Sequence, residues 1–380
     1  MNILVLSRFA YDQSPYRIFV HDQVKAYQAL GHQVRVISCL SRFKKGVNAY
    51  ALHKKEAVVD GVRVYYPRHL SLSRYGQYGA NVAFGYRAVL RLVKKLRRDF
   101  PIDLIHAHFI DFDGAVAVRL KKKLGIPVVI TTHGYDTVDE LAAGNGPKLL
   151  PICRQADAVV AVSSMLKNAL LREDPSLSIR VILNGFNLQD CPRDVKKEPY
   201  SIIAVGALVE RKKFHVVIQA LAQVQKRYPQ ATLTLVGEGG ERVRLEALIQ
   251  ELHLEQSVRL TGFLPNQQVM ALMAAHQVFA MPSVHEGFGI VYLEAMAAGC
   301  VCIGTQKEGV ADLIVSGENG LLVPPDDANT LANEIAALFA SPNDRQRLAQ
   351  AGQQAAVTLT WEENAKKNLA LFEEILANRG

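Results

Sequence analysis

Two glutamates frame a glycine-rich segment in the second half of the chain. Seven residues separate Glu286 from Glu294, and Gly287 and Gly289 let the backbone between them turn tightly and approach a ligand. Good helix formers follow, so a helix is predicted to begin near residues 289–291 with N–H groups that can bind phosphates. Glu294 would lie about one turn further on, facing a ribose diol, and Glu286 on the sugar side of the phosphates. The alternative is a glycine loop with one solvated glutamate and one on a helix surface.

Three adjacent cations, Arg211, Lys212 and Lys213, follow an apolar run that ends at Val205. Cationic side chains neutralise a leaving diphosphate in phosphate chemistry. The alternative is a solvated charge cluster before a helix, the usual explanation of such a run. The place of these cations at the carboxyl end of a predicted strand favours the functional interpretation.

Histidines cluster near the ends of two predicted strands in the first half. His106 and His108 are two residues apart and share one strand face, and His133 and Asp136 follow the next strand. A metal site would need further ligands at suitable spacing, and none is identifiable, so we expect no metal. His133 can hydrogen-bond a sugar hydroxyl or oppose developing charge, whereas the alternative is a purely structural histidine.

Composition and charge exclude several classes of protein. The chain has 380 residues, 49% of them hydrophobic and 21% charged, which is a globular composition. It contains no apolar run of roughly 18 residues and no signal peptide, and five cysteines without a Cys-x-x-Cys pattern favour the reducing cytoplasm. Residues 1–195 carry a formal charge of +12 and residues 196–380 one of −4, so the first half is expected to meet an anionic partner.

Nucleic acid, an anionic membrane and a phosphorylated acceptor all fit that charge. Nucleic acid is disfavoured because no nucleic-acid-binding motif is recognisable. A dinucleotide cofactor is disfavoured because Gly237-Glu-Gly-Gly lacks the required spacing and Ser7-Arg8-Phe9 follows the first strand. Residues 87–98 carry six cations among apolar residues and are predicted to form a basic amphipathic helix, which can lie on an anionic membrane. The alternative is a peripheral helix that packs its apolar residues on the sheet and shows its cations to water.

The order of apolar runs predicts an α/β fold. Near-continuous apolar strands alternate with helices, as in parallel sheets covered on both faces. The predicted strands are 3–6, 34–38, 62–66, 104–107, 128–131, 158–162, 181–183, 202–205, 232–236, 258–261, 278–281, 301–304 and 321–323. Because the pattern restarts after the polar stretch 189–199, we predict two doubly wound domains facing a central cleft. Residues 361–377 are predicted to form an amphipathic helix with an apolar stripe.

Together these motifs resemble the retaining glycosyltransferases of family 4. The matching segments are Glu286-x7-Glu294, Val205-Gly-x-Leu-Val-x-x-Lys212, Val236-Gly-Glu-Gly, Asn184-Gly, Gly262-Phe-Leu-Pro, Met281-Pro-Ser and Asn319-Gly-Leu-Leu-Val-Pro-Pro325. The resemblance covers essentially the whole chain. Within the family, Ile18-Phe-Val-His-Asp-Gln23 and Lys307-Glu-Gly-Val-Ala-Asp-Leu-Ile314 are similar to the enzymes of teichuronic-acid, capsule and O-antigen assembly.

The resemblance implies a GT-B fold of two Rossmann-like domains. Residues 1–190 would form the acceptor-binding domain, with the helix 361–380 crossing back onto it, and residues 191–360 the nucleotide-sugar-binding domain. Within the latter, Glu294 would bind the ribose, Glu286 the donor sugar, and Lys212 the leaving diphosphate. The remaining donor-binding residues implied are Gly206, Arg211, Phe263, Leu264, Gly287, Phe288, Gly289, Ile290 and Val291. Of these residues, the backbone of 287–291 would hold the phosphates or the donor sugar. The backbone of Phe263 and Leu264 would contact the base.

In the first domain, the resemblance makes His133 the active-site histidine and puts Arg17 and Asp136 on the acceptor side. Cationic side chains and the helix N-terminus would replace a metal ion, so no cofactor is implied. The sequence departs from the family at Ala207, where an arginine is usual, at Ser14-Pro-Tyr-Arg17 in place of a glycine-rich loop, and at Glu308-Gly309 in place of paired glycines.

The expected activity is transfer of a sugar, with retention, from a nucleotide-diphosphate sugar, with UDP as the family's usual nucleotide. The acceptor would be a growing lipid-linked cell-surface glycan at the inner face of the membrane. The alternatives are a nucleotide-sugar epimerase or phosphorylase with the same architecture, or a catalytically silent sugar-nucleotide-binding partner.

Overall fold

The computed structural model describes residues 1–7, 18–41, 55–70, 78–188, 191–192 and 195–379. The chain forms two compact units. Unit 1 is Met1–Gly185 together with Trp361–Gly380, and unit 2 is Phe186–Thr360. The chain thus leaves unit 1 after Gly185, slightly before the boundary expected after residue 190.

Unit 1 is built on a mainly parallel sheet. Its described strands are β1 (Asn2–Leu6), β2 (Gln33–Ile37), β3 (Leu40–Ser41), β4 (Glu56–Val59), β5 (Val62–Tyr65), β6 (Arg68–His69), β7 (Leu104–His108), β8 (Val128–Thr132), β9 (Ala158–Ala161) and β10 (Ile179–Val181). Its helices before Gly185 are α1 (Ile18–Ala29), α2 (Ala80–Leu96), α3 (Ala115–Leu124), α4 (Val138–Ala142), α5 (Gly146–Gln155) and α6 (Ser164–Glu173). Among the described strands the sheet order is β10-β9-β8-β7-β1-β2-β5-β4, and β3 pairs with β6 separately.

The inner strands of this sheet confirm the predicted continuous apolar runs. β7, β8 and β9 are buried along their whole length, and β1 is buried from its second residue onward. Strands covered on both faces carry near-continuous apolar runs.

Two edge strands differ from the prediction. β4 was not predicted; it pairs antiparallel with β5 through a turn at Asp60 and Gly61, whose φ angles are +46° and +81°. β10 lies at Ile179–Val181 instead of residues 181–183, and its middle residue, Arg180, is exposed. Both strands end the sheet, where one face meets water and polar residues interrupt the apolar run.

Unit 2 is a parallel sheet flanked by helices. Its strands are β11 (Ser201–Val205), β12 (Thr232–Val236), β13 (Val258–Gly262), β14 (Val278–Ala280), β15 (Val301–Thr305) and β16 (Leu321–Val323). Its helices are α7 (Phe214–Val224), α8 (Arg242–Glu251), α9 (Asn266–Ala275), α10 (Ile290–Ala297), α11 (Ala328–Ala340) and α12 (Pro342–Ala356). The sheet order is β13-β12-β11-β14-β15-β16, so the strands predicted from the sequence assemble as a doubly wound sheet.

The last helix, α13 (Trp361–Ala377), belongs to unit 1 and packs on α1. Its predicted apolar stripe is buried: Trp361, Ala365, Leu369, Phe372 and Ile375. The Gln23 side chain donates from Nε2 to Oδ1 of Asn364 at 2.6 Å, and Asn364 donates from Nδ2 to the Leu183 carbonyl at 2.7 Å. These buried hydrogen bonds fix the rotation of α13, because buried amides need partners.

No helix in the described ranges has both the length and the apolar content that a membrane crossing requires.

Candidate active site

The strand order of unit 2 reverses between β11 and β14, which are neighbours in the sheet. From β11 the chain continues outward to β12 and β13, and from β14 it continues in the other direction to β15 and β16. Loops after two such strands diverge, and ligands of doubly wound sheets bind in the crevice between them. Here the two loops carry Lys212 and Glu286.

Lys212 and Glu286 contact each other directly. Lys212 ends a short 3-10 turn before α7 and is only 8% exposed. Its Nζ donates a hydrogen bond to Oε2 of Glu286. Nη1 of the half-exposed Arg211 lies 4.0 Å from the same oxygen and donates to the His285 carbonyl at 3.4 Å. Lys213 turns away from this group and pairs with Asp326 at 2.9 Å, so the structure splits the predicted cation cluster.

The charges around Glu286 keep it ionised. Burial alone would raise the pKa of the Glu286 carboxyl, but the positive charge of Lys212, its hydrogen bond and the charge of Arg211 outweigh burial and lower the pKa overall. Glu286 is therefore a carboxylate held between two cations.

A third loop, after β15, holds the backbone of Glu286. Oε2 of Glu308 accepts the Glu286 N–H at 2.9 Å, and the Gly309 N–H donates to the Glu286 carbonyl at 3.1 Å. A Cβ at Gly309 would lie 2.2 Å from the carbonyl oxygen of Gly287. The sequence did not predict that Glu308 belongs to the site. A carboxylate followed by a glycine just after a predicted strand could have indicated it.

The glycine-rich segment leads into α10, as predicted. Gly289 has a φ of +79°, and a Cβ there would lie 2.7 Å from the Tyr292 ring. Phe288 is buried, whereas Ile290 and Val291 are partly exposed. No described side chain caps α10, so its first turn has the form of an anion-binding helix N-terminus.

Glu294 lies in the second turn of α10 and is partly exposed. Gly287, the other glycine of the segment, is buried beside the loop after β15. The residues predicted to bind phosphate, sugar and ribose therefore all follow β14 in one continuous segment.

The loop after β11 packs tightly against the loop after β12. A Cβ at Gly237 would lie 1.9 Å from the Gly206 carbonyl oxygen, and one at Gly239 would lie 2.3 Å from that of Leu208. The N–H of Leu208 donates to the Glu238 carbonyl at 2.9 Å. These glycines thus support the loop that carries Lys212, while Ala207 is exposed.

Phe263 and Leu264 follow β13 at the same sheet edge. The Phe263 ring is 56% exposed, and Leu264 is partly buried. An exposed aromatic ring beside backbone amide groups can meet a nucleobase.

In unit 1, β7 and β8 bring three histidines together. Nδ1 of His108 lies 2.9 Å from Nε2 of His133, and the His133 ring packs against Phe19 and Phe109 at centroid distances of 4.6 and 4.8 Å. His106 bonds Thr131 through Nε2 at 2.8 Å, and burial lowers the pKa of its imidazole to about 3. The sequence showed that His106 and His108 share a face, but not that His108 contacts His133.

Asp136 shapes the loop that carries His133. Its carboxylate is fully buried and accepts the N–H groups of His133, Gly134 and Ile110 at 3.0, 3.1 and 2.9 Å. Burial, followed by the charge of Asp111, raises the pKa of Asp136 to about 6 despite these donors. This placement favours support of the loop over direct contact with an acceptor.

The other predicted acceptor-side residue, Arg17, lies outside the described residues, as does the rest of Ser14-Pro-Tyr-Arg17. Within the described part of the chain, no three His, Cys, Asp or Glu side chains are placed to hold a metal ion.

Comparison with known proteins identifies the family. Residues 17–190 match the family described as Glycosyltransferase Family 4, and residues 190–355 match Glycosyl transferases group 1. WcaL of Escherichia coli (strain K12), a glycosyltransferase named for colanic acid biosynthesis, is 30% identical over 70% of this chain and 68% of WcaL. The chain is a family 4 glycosyltransferase. The glycogen synthase of Mycobacterium tuberculosis (strain CDC 1551 / Oshkosh) is 28% identical to this glycosyltransferase over 95% of the chain and 91% of the synthase.

The solved structure of HepE from Anabaena, in complex with UDP and glucose, is similar to this glycosyltransferase. The TM-score is 0.75 at 22% identity, covering 98% of this chain and all of HepE. The likeness shows the GT-B fold, so the predicted class of two doubly wound Rossmann-like domains is confirmed.

Proposed function

We propose that this glycosyltransferase uses a nucleotide-diphosphate sugar, with UDP as the nucleotide. It transfers a hexosyl or N-acetylhexosaminyl group, with retention of anomeric configuration, to a growing lipid-linked glycan of the cell surface. The observation that carries the proposal is the contact between buried Lys212 and Glu286 beside the start of α10. A buried cation, a helix N-terminus and an ionised carboxylate together suit a sugar joined to a diphosphate.

On the donor side, Lys212 and Arg211 neutralise the diphosphate, together with the N–H groups of α10. Glu286 binds the sugar hydroxyls, and Glu294 binds the ribose. The base lies against Phe263 and Leu264, and Gly206 allows the loop after β11 to approach the phosphates closely. Glycines at the crowded positions support this arrangement, because a side chain there would push the loops apart.

Retention is proposed to proceed without a covalent intermediate. Glu286 is assigned to the sugar hydroxyls, so it is not proposed as a nucleophile at the anomeric carbon. In the proposed front-face reaction, the bond from the anomeric carbon to the diphosphate oxygen breaks while the acceptor oxygen bonds to that carbon from the same face. The acceptor proton passes to the leaving phosphate oxygen. No metal is needed, since Lys212, Arg211 and the N-terminus of α10 stabilise the charge that develops on the diphosphate.

In unit 1, His133 is the catalytic histidine that contacts the sugar or opposes developing charge. The hydrogen bond with His108 and the contacts with two phenylalanines support this role, because they hold the ring in one orientation. Asp136 contributes through the His133 loop, and Arg17 remains a proposed acceptor contact.

The names of similar proteins support the nucleotide and the type of acceptor. HepE was solved with UDP and glucose, and WcaL is named for colanic acid biosynthesis. These are properties of those proteins, and they make UDP-sugars and bacterial surface glycans the first substrates to test.

The membrane contact is the basic face of α2 and the turn after it. Val89, Val93 and Leu96 of this helix are buried, so its apolar face packs inside unit 1. The six cations of the segment are exposed: Arg87, Arg91, Lys94, Lys95, Arg97 and Arg98. Since α2 contains no acidic residue, this face presents a net positive charge that attracts anionic lipid.

The test combines a binding screen with a reaction time course. We expect a UDP-sugar to raise the melting temperature more than the corresponding GDP- or ADP-sugar, because a ligand that binds the folded state stabilises it by mass action. Proton NMR should then show the donor unchanged without acceptor. With a lipid-linked glycan it should show a product that keeps the donor's anomeric configuration.

Other outcomes overturn the proposal. Conversion of the donor to an epimer without acceptor means an epimerase. Formation of a sugar phosphate from glycan and inorganic phosphate means a phosphorylase. An inverted product removes the retaining mechanism, and binding without turnover of any donor and acceptor pair means a silent binding partner.

A further inference from the structure

The loop after β15 reaches the backbone of Glu286 from a neighbouring strand. β15 lies beside β14 in the sheet, so the segments that follow these two strands run side by side at the carboxyl edge. Oε2 of Glu308 accepts the N–H of Glu286, and the next residue, Gly309, donates to the Glu286 carbonyl. Both backbone polar groups of Glu286 are thus bound by one dipeptide.

The chain around Glu286 needs such support. His285, immediately before it, has a φ of +55°, a left-handed conformation that residues other than glycine rarely adopt. Lys307, before Glu308, has a φ of +65°, so a second turn of the same kind aims Glu308 at the β14 loop. Strained backbone persists only where its surroundings over-determine it. The contacts with Glu308 and Gly309 are part of those surroundings.

The hydrogen bond between the Glu308 carboxylate and the Glu286 N–H is charge-assisted. A carboxylate that accepts a backbone N–H makes a charge-assisted hydrogen bond, stronger than one between neutral groups. The N–H and the side-chain carboxylate both belong to Glu286. A shift of the Glu286 backbone therefore also shifts the carboxylate oxygen that accepts the hydrogen bond from Lys212. Removal of the Glu308 side chain would therefore act on the site through Glu286.

Glu308 also adds charge. Once the diphosphate of the donor engages Lys212 and Arg211, those two cations no longer balance the carboxylate of Glu286. The carboxylate of Glu308 remains bound to the N–H of the same residue. A sugar with a carboxylate of its own would bring a third negative charge to the site of these two carboxylates. Like charges that share a site repel each other.

We infer that Glu308 is a positioning residue for Glu286 and that its charge makes the site select uncharged donor sugars over uronic acids. The inference rests on the proposed function, since it takes Glu286 as the ligand of the donor sugar. It concerns the sugar alone, because the nucleotide and diphosphate are bound by other groups.

The test compares Glu308→Ala, which removes acceptor and charge, with Glu308→Gln, which keeps an oxygen acceptor without the charge. Glu318→Ala, at an exposed glutamate of the same unit, is the matched control. We expect Glu308→Ala to lower kcat/KM for a neutral UDP-hexose by about 10-fold or more, the range for a lost hydrogen bond to a charged group. The Kd of UDP itself should stay within about twofold of wild type, and Glu308→Gln should restore most of the activity.

Selectivity is measured as the ratio of kcat/KM for UDP-glucose to that for UDP-glucuronate. We expect Glu308→Gln to lower this ratio by several-fold relative to wild type and Glu318→Ala to leave it unchanged. Equal loss of affinity for UDP and for the UDP-sugar would mean a general structural role and would overturn the inference. A kcat/KM equal to wild type in Glu308→Ala would also overturn the inference, as would an unchanged ratio of kcat/KM for UDP-glucose to that for UDP-glucuronate in Glu308→Gln. The proposed function itself is tested by the wild-type protein. If wild type neither binds nor transfers any nucleotide sugar, the proposed function fails, and this result is distinct from any effect of the Glu308 variants.

Discussion

Lys212 and Glu286 are 74 residues apart in the sequence, yet Nζ of the lysine binds the glutamate carboxylate where β11 and β14 lie side by side. The pair neutralises a buried cation and a largely buried carboxylate at once, because each charge needs a partner away from water. In the proposed reaction the diphosphate engages Lys212 and the sugar hydroxyls engage Glu286. Donor binding therefore exchanges one ion pair for two contacts with the same ligand.

Lys212→Ala should lower kcat more than it raises the KM of the donor. Negative charge on the diphosphate grows as the glycosidic bond breaks, so the contact is stronger in the transition state than in the ground state. We expect a loss of about 10²-fold or more in kcat, the effect of removing one charge-stabilising group. Arg211 lies 4.0 Å from Glu286 and can partly substitute, so the Lys212/Arg211 double variant should be slower still. Near wild-type kcat in the double variant would exclude both residues from the phosphate site.

Glu294→Ala should weaken binding of the donor, because the proposed carboxylate contact with the ribose is lost while alanine keeps α10 helical. Glu294→Gln should be milder, since its amide still offers an oxygen acceptor. Isothermal titration with the nucleotide diphosphate measures both variants without any need for an acceptor. An unchanged Kd in Glu294→Ala would remove this residue from the donor site.

Gly239→Ala and Gly240→Ala form a matched pair at adjacent positions. A Cβ at Gly239 would lie 2.3 Å from the Leu208 carbonyl oxygen, whereas a Cβ at Gly240 meets no atom within 4 Å. Gly239→Ala should cost about 1–3 kcal/mol of stability and weaken donor binding, because relief of the overlap moves the loop that carries Lys212. Gly240→Ala should be neutral or slightly stabilising. Thermal unfolding and donor titration of both variants check this, and equal behaviour of the two would contradict the packing.

The raised pKa of Asp136, about 6, predicts a pH dependence of stability in unit 1. An unfolded aspartate titrates near pH 4, so between about pH 4 and pH 6 the folded protein binds more protons than the unfolded chain. The contribution of this group to the free energy of unfolding is therefore fully present below pH 4 and is lost as the pH rises through 6.

Asp136→Asn removes that titration and keeps an oxygen acceptor for the loop. We expect the fall in the free energy of unfolding between about pH 4 and pH 6 to be smaller in this variant than in wild type. Urea unfolding followed by Trp361 fluorescence is the measurement, because the only tryptophan of the chain lies in unit 1. The same pH slope in both proteins would show that Asp136 does not titrate in this range.

The basic face of α2 predicts reversible binding to anionic vesicles that weakens as salt rises. Each exposed cation near an anionic surface contributes about 1 kcal/mol, screened over roughly 8 Å at physiological salt. Changing Lys94, Lys95, Arg97 and Arg98 to glutamine should abolish most co-sedimentation with anionic vesicles at low salt. The control variant changes four exposed cations of unit 2 to glutamine: Lys226, Arg227, Arg244 and Arg259. Equal binding to neutral and anionic vesicles, or equal loss in both variants, would mean that α2 is not the contact.

The inner strands and the last helix were predictable because their signals are local. A strand buried on both faces is expected to carry a near-continuous apolar run, and β1, β9, β11 and β14 show one. The stripe of α13 follows the helical period, and its five apolar residues are buried. The edge strands β4 and β10 were not predicted correctly, because a strand with one exposed face carries polar residues that interrupt the run.

The sequence by itself determined which segments form strands and helices, where α10 begins, and which residue types stand at the carboxyl ends of the strands. Those properties depend on neighbours a few residues away. Only the tertiary structure decided that Lys212 meets Glu286, that Glu308 holds the Glu286 backbone, and that His108 bonds His133. Each of these contacts joins the carboxyl ends of two adjacent strands or the loops that follow them. Strand order is set by how the whole sheet buries its apolar faces, which no local pattern encodes.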